Sequence, residues 1–183
     1  MKKKKVLIIT VQKAPNIGAC LQAYALWKYI NDQGCDCKVI DLLRPYHKDF
    51  IYTNGFEPLI KYERSLILNI KIKYIRPFKK NIKKLLHIID TENSNSLNRR
   101  VLSEKQIQLF ENFNNKISYT ETYRSIKDLY DNPPQADVYI TGSDQLWNPT
   151  QPYSLEPFFL TFVNNDGNKY SYATSIGVSK LSK

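Results

Sequence analysis

Val6-Leu-Ile-Ile-Thr-Val11, the stretch Ala19 to Gln33, and Lys38-Val-Ile-Asp41 are the residues whose reading decides the fold. The first is a short, β-branched-rich run with no polar alternation, as in a strand buried on both faces of a parallel sheet. The second reads as a helix after a loop with Pro15 and Gly18, and Gly34 follows it where a residue without Cβ closes a last turn. The third reads as a second strand. Strand, helix and strand in about 36 residues match what a right-handed parallel crossover requires.

Outward from this unit, Pro45 to Pro58 is an excursion whose aromatic residues, Tyr46, Phe50, Tyr52 and Phe56 among them, keep no clean period. Leu68 to Ile75 alternates like a strand but is bounded like a helix. Phe78, Ile82, Leu85, Leu86 and Ile89 share one helical face, and Lys79, Lys80, Lys83, Lys84 and His87 share the opposite one. Thr91 to Asn98 is polar. Ser103-x-x-Gln106 has the form of a capping box for a helix to about Phe113, and Tyr123 to Tyr130 suits a short helix stopped by Pro133-Pro134. Asp137 to Thr141, Phe158 to Val163 and Tyr170 to Ser175 read as further strands, with Asn164 to Gly167 as a turn. The expected fold is α/β, a doubly wound parallel sheet of about five to seven strands. Residues 1–183 form one Rossmann-like domain in this reading, with a basic, helical insertion at about 45–100.

A chain of 183 residues, 42% hydrophobic and 24% charged, has the composition of one globular domain rather than a disordered tail. No apolar run reaches the roughly 18 residues that cross a bilayer. MKKKKVLIITVQK imitates a signal peptide, but its apolar part stops at Gln12-Lys13 and reads as a buried strand. Cys20, Cys35 and Cys37 lack the partner spacing of a metal or disulfide framework, which implies a reduced, cytoplasmic chain and no metal. The net charge of +10 is concentrated in Lys2 to Lys5 and in the nine basic residues between Lys61 and Lys84. One basic patch, with the remainder slightly acidic, argues against a nucleic-acid partner.

In an open parallel sheet, ligands collect beyond the carboxyl ends of the strands. Three polar motifs fall there. Asn16-x-Gly18 opens a helix whose first N–H groups favour an anion or a sugar hydroxyl, or simply makes an N-cap and turn. Gly142-Ser143-Asp144-Gln145 follows a buried strand. Asp144 is the candidate general base, Ser143 and Gln145 candidate orienting groups, and Trp147 a flat face for a sugar ring. Ser175-Ile-Gly177 has no histidine nearby in sequence, which argues against a Ser-His-Asp hydrolase and for ligand binding.

Asn16-Ile-Gly18-Ala-Cys-Leu-Gln22-Ala-Tyr-Ala-Leu26, Thr141-Gly-Ser-Asp-Gln-Leu-Trp-Asn-Pro149 and Tyr170-Ser-Tyr-Ala-Thr-Ser175-Ile-Gly177 occur in this order across nearly the whole chain. Together they resemble the polysaccharide pyruvyl transferase family. The resemblance implies one of two facing Rossmann-type domains, as in glycosyltransferases of the B-type fold. It also implies transfer of the enolpyruvyl unit of phosphoenolpyruvate onto two hydroxyls of a sugar, in a surface polysaccharide or its lipid-linked precursor. Phosphoenolpyruvate is the donor and no cofactor is expected. Asp144 would be catalytic, and Asn16, Gly18, Gln22, Gly142, Ser143, Gln145, Trp147, Ser175 and Gly177 would bind substrate. The family's Arg and His groups for phosphoenolpyruvate belong mainly to the second half, so the resemblance is to the first domain, with a second-half polypeptide as a partner. Many members carry Asp soon after the Asn-x-Gly loop, where this chain has Ala19-Cys20. The alternative is a non-catalytic carbohydrate- or membrane-surface-binding fragment, or a glycosyltransferase-like domain.

The helix Phe78 to Ile89 reads first as a solvated basic face over an apolar packing stripe; the sharper reading is that Lys79, Lys80, Lys83 and Lys84 hold the protein peripherally against the anionic inner leaflet, where lipid-linked polysaccharide intermediates are assembled. Each lysine contributes about 1 kcal/mol near such a surface. Sedimentation with anionic liposomes at low salt should carry the protein down, and replacing the four lysines with Gln should leave it in the supernatant. Binding that ignores lipid charge would leave the four lysines as a solvated helix face.

Overall fold

The computed structural model describes residues 2–14, 16–45, 47–56, 103–151, 153–164 and 168–180, and residues 1–60 and 104–183 form one compact unit. Its sheet contains β1 (Lys5–Ile9), β2 (Asp36–Leu42), β3 (Tyr119–Tyr123), β4 (Val138–Asp144) and β5 (Lys169–Thr174). The strands lie in the order β3-β2-β1-β4-β5, and every neighbouring pair is parallel. The doubly wound parallel sheet expected from the sequence is therefore what forms.

β1 is central because both of its faces are apolar. Leu7 and Ile9 enter one core and Val6 and Ile8 the other. On the second face lies α1 (Ile17–Asp32), which buries Ala23, Leu26 and Ile30 against Val6, Ile8, Cys37 and Val39. α2 (Glu104–Asn114) runs beside α1, with the rings of Tyr24 and Phe113 5.3 Å apart. The opposite face is covered by α3 (Ile126–Asp131), through Ile126 and Leu129, and by the segment after β4. Right-handed crossovers require this change of face. The chain winds outward from β1 through β2 to β3, then returns to place β4 on the other side of β1.

Local chemistry sets the helix ends. The Asn16 side chain accepts the Ala19 N–H at 3.2 Å and Ser125 accepts that of Asp128 at 3.0 Å, each satisfying a donor that a first turn leaves free. At the far end of α1, Gly34 takes φ 83 as its position required.

Two elements differ from the sequence reading. Phe158 to Val163 is not a strand. A 3-10 helix over Glu156–Phe159 leads into Leu160 at φ 58. Pro157 has no N–H to give a ladder, and Leu155, Phe158, Leu160, Phe162 and Val163 bury themselves without alternation, capping one face of the sheet. The second difference is β3, hidden in the polar run Tyr119–Tyr123. It is an edge strand in which only Tyr123 is buried, so it shows no apolar run, and the helix after it begins only at Ile126. The expected readings of Leu68 to Ile75, the helix Phe78 to Ile89 and the stretch Thr91 to Asn98 lie outside the described residues.

β4 and β5 leave no room for a side chain at Gly142. A Cβ there would lie 1.9 Å from the Tyr172 carbonyl oxygen, on a backbone with φ 138. Gly34 also has positive φ, but nothing lies within 4 Å of its Cβ position. Gly34→Ala should cost about 1 kcal/mol of conformational strain and Gly142→Ala more than twice that, measured by urea denaturation. Equal losses would mean that the β4–β5 contact is looser than described.

Candidate active site

The strand order reverses between β1 and β4, so the loops leaving their carboxyl ends part and open a crevice above the sheet. The sequence fills that edge with polar groups. Thr10 follows β1, Ser143 and Asp144 end β4, and the first turns of α1 bring Asn16, Gly18 and Gln22 over the same edge.

Gln22 is the centre of the arrangement. Its Nε2 lies 2.9 Å from Thr10 Oγ1 and 3.0 Å from the carbonyls of Val11 and Ala19, sharing its two hydrogens among them. Its Oε1 accepts the Ser143 hydroxyl at 2.8 Å. One amide thus joins β1, α1 and β4, with Gln22 and Ser143 in direct contact across 121 positions of sequence. The bond orients Ser143 so that its oxygen retains lone pairs for a ligand hydroxyl.

Asp144 is exposed at the end of β4 with φ 93, a backbone conformation that residues bearing Cβ rarely take. Its Oδ1 accepts the Gln145 N–H at 2.7 Å. The peptide bond before Ser143 is cis. Gln145 is also exposed, and its Oε1 accepts from Asn148 Nδ2 at 2.9 Å. Gly177 closes onto this pair. A Cβ at Gly177 would stand 2.5 Å from Gln145 Oε1 and 2.8 Å from Asn148 Nδ2. Ser175 is fixed through its backbone, donating to the Asp144 carbonyl at 3.0 Å and accepting from Trp147 N at 3.2 Å. The third motif is thereby clasped to the second.

Trp147 is half-buried against the core. Its indole N–H donates to the Phe158 carbonyl at 3.1 Å, and its ring stacks on Phe159 with centroids 5.4 Å apart. Phe159 covers one face of the indole. Asn16 serves as the cap of α1, and Gly18, exposed in the first turn, has no side chain to screen the nearby backbone N–H groups.

A second polar group at this edge was not singled out in the sequence. Asp41, 2% exposed near the end of β2, binds Lys13 Nζ and Thr122 Oγ1, each at 2.6 Å. Arg44, just beyond β2, is 3% exposed. Its backbone N–H donates to His47 Nδ1 at 2.9 Å, which leaves the proton of a neutral ring on Nε2. Burial, and then the charge of Arg44, push the His47 pKa down, towards the neutral ring. Burial, reinforced by the charge of Asp41, raises the Tyr119 hydroxyl beneath Lys13. The signal available in sequence was position alone: Thr10, Gln12, Lys13 and Arg44 are the first polar residues past two apolar strands.

Among the described residues, no group of three His, Cys, Asp or Glu side chains gathers as a metal site, and no helix is long and apolar enough to cross a membrane. Lys79, Lys80, Lys83 and Lys84 lie outside the described residues.

A doubly wound parallel sheet with polar loops converging where its strand order reverses defines a Rossmann-like α/β fold with a candidate site at that edge. The family model for polysaccharide pyruvyl transferase matches residues 16–183, and the chain belongs to that family. No curated protein and no solved structure matches it.

Proposed function

We propose that this chain acts in the transfer of a pyruvyl group from phosphoenolpyruvate to a sugar of a surface polysaccharide or its lipid-linked precursor. The observation that supports the reading is the direct contact of distant motifs at one crevice. Gln22 meets Ser143, and Gly177 meets the Gln145–Asn148 pair, all within the residues that the family model matches.

In this reading Asp144 takes the proton of an acceptor hydroxyl, because its carboxylate is exposed at the strand end while one oxygen is held by the Gln145 N–H. Ser143, held by Gln22, accepts a hydrogen bond from the same or the neighbouring hydroxyl. The sugar oxygen adds to the central carbon of the enol, whose methylene gains a proton and becomes methyl. A second hydroxyl then displaces phosphate and closes the ketal. Two O–H bonds, the C=C π bond and one C–O bond to phosphate are broken; two C–O bonds, one C–H bond and one O–H bond on the departing phosphate form. By family resemblance, a facing second-half polypeptide contributes further cations to the donor.

The test follows label from phosphoenolpyruvate into a polysaccharide acceptor, with this chain alone and with the family's second-half polypeptide added. Transfer is expected with the second-half polypeptide present, and Asp144→Asn should lower that rate by at least about a hundredfold. An unchanged rate in that variant would make Asp144 a turn residue, and no transfer in either arrangement would remove the proposal.

A further inference from the structure

Arg44 is a buried cation with no counter-ion among the described residues. Its guanidinium forms no ion pair among them, whereas the other buried charge, Asp41, is matched by Lys13. Nη2 donates to the Thr10 carbonyl at 2.5 Å and to Gln12 Oε1 at 3.3 Å, both neutral acceptors. Gln12 is itself held, donating through Nε2 to the Leu42 carbonyl at 3.0 Å. The guanidinium carbon sits 4.9 Å from the ring centre of Tyr153 and 5.2 Å from that of Phe158. These contacts fix the side chain, and Nε and Nη1 remain buried with no hydrogen-bond partner.

Two physical rules make this arrangement informative. A buried N–H is costly unless paired, and a buried charge is costlier still unless an opposite charge or a ligand meets it. With Asp41 taken up by Lys13 and His47 held towards neutrality, the group around Arg44 carries one surplus positive charge. It stands beside Thr10, whose hydroxyl lies in the Gln22–Ser143 network, so the surplus falls at the edge where the three motifs meet.

We propose that Arg44 is the anchor of an anion subsite at this edge, taking the phosphate or carboxylate group of a small ligand. Lys13, one-third exposed and paired with Asp41, has further N–H donors to offer at the rim without adding to the surplus charge. Guanidinium suits the role because its N–H groups point in fixed directions that match the oxygens of either anion. The identification of that ligand as the pyruvyl donor rests on the transfer reading above; the subsite itself does not.

The test is binding, so that it stands apart from turnover. Inorganic phosphate, pyruvate and phosphoenolpyruvate are titrated by calorimetry into the wild-type chain and into Arg44→Met, with circular dichroism to establish that the variant is folded. Wild type is expected to bind phosphate or pyruvate, and phosphoenolpyruvate more tightly than either. Arg44→Met should bind at least tenfold more weakly, and Lys13→Gln only a few-fold more weakly. In parallel, the Nε–H signal of Arg44 in the wild-type protein should move on adding phosphate or phosphoenolpyruvate, a readout that does not depend on a variant folding. A folded Arg44→Met with wild-type affinity, or an Arg44 Nε–H signal unmoved at saturation, overturns the subsite. Phosphoenolpyruvate binding that ignores Arg44 would do so while leaving the transfer reading intact. Arg44-dependent phosphate binding with no preference for phosphoenolpyruvate would support the subsite and remove the donor assignment.

Discussion

The hydrogen bonds of Gln22 are the constraint on which the site depends. A single amide, reaching down from the second turn of α1, fixes Thr10 and Val11 after β1 and Ser143 at the end of β4. These groups lie at the point where the strand order reverses, and there the Thr10 hydroxyl also reaches the Ser143 carbonyl at 3.3 Å. Each such bond contributes about 1 kcal/mol net, but leaving the half-buried Ser143 hydroxyl without a partner costs more than the bond contributes. The amide therefore acts mainly on geometry: it decides where the Ser143 hydroxyl points and how the turn before Asp144 is held.

The polar groups of the crevice divide into two kinds. Gln22, Asn16 and Asn148, and the backbone of Ser175, are spent on internal bonds and hold the loops. Asp144 and Gln145 are exposed on the framework those bonds create, and Asp144 is held at a backbone angle that few residues with Cβ accept. Unfavourable backbone conformations persist where the surroundings over-determine them, and they cluster at functional sites. A neutral framework behind an exposed carboxylate, with a surplus cation a short way along the edge, can receive a ligand that carries both hydroxyls and anionic groups.

The alternation of apolar strand and helix was legible because burial on both faces leaves an unbroken run, as in Val6 to Ile9, and because Asn16 and Gly34 punctuate the helix between. The three motifs were legible as dense polar sequence following apolar strands. β3 was not, since an edge strand of Tyr, Thr and Glu carries little burial signal. Phe158 to Val163 misled for the opposite reason: its apolar density serves burial over one face of the sheet rather than a place in it. Contacts were beyond reach. Nothing in the letters says that Gln22 meets Ser143, or that Arg44 turns inward over Tyr153 and Phe158, because both depend on how β2 and β4 flank β1.

The central claim is that a small anionic substrate binds at the carboxyl edge of the sheet, at the reversal between β1 and β4. Its most direct test is a map of backbone amide NMR shifts during titration with phosphoenolpyruvate. The account expects the largest changes between Thr10 and Gly18 and between Gly142 and Asn148. Changes confined to the opposite edge, at the hollow of about 360 Å³ lined by Lys2, Lys3, Lys5, Asn31, Cys35 and Asp36, would contradict it.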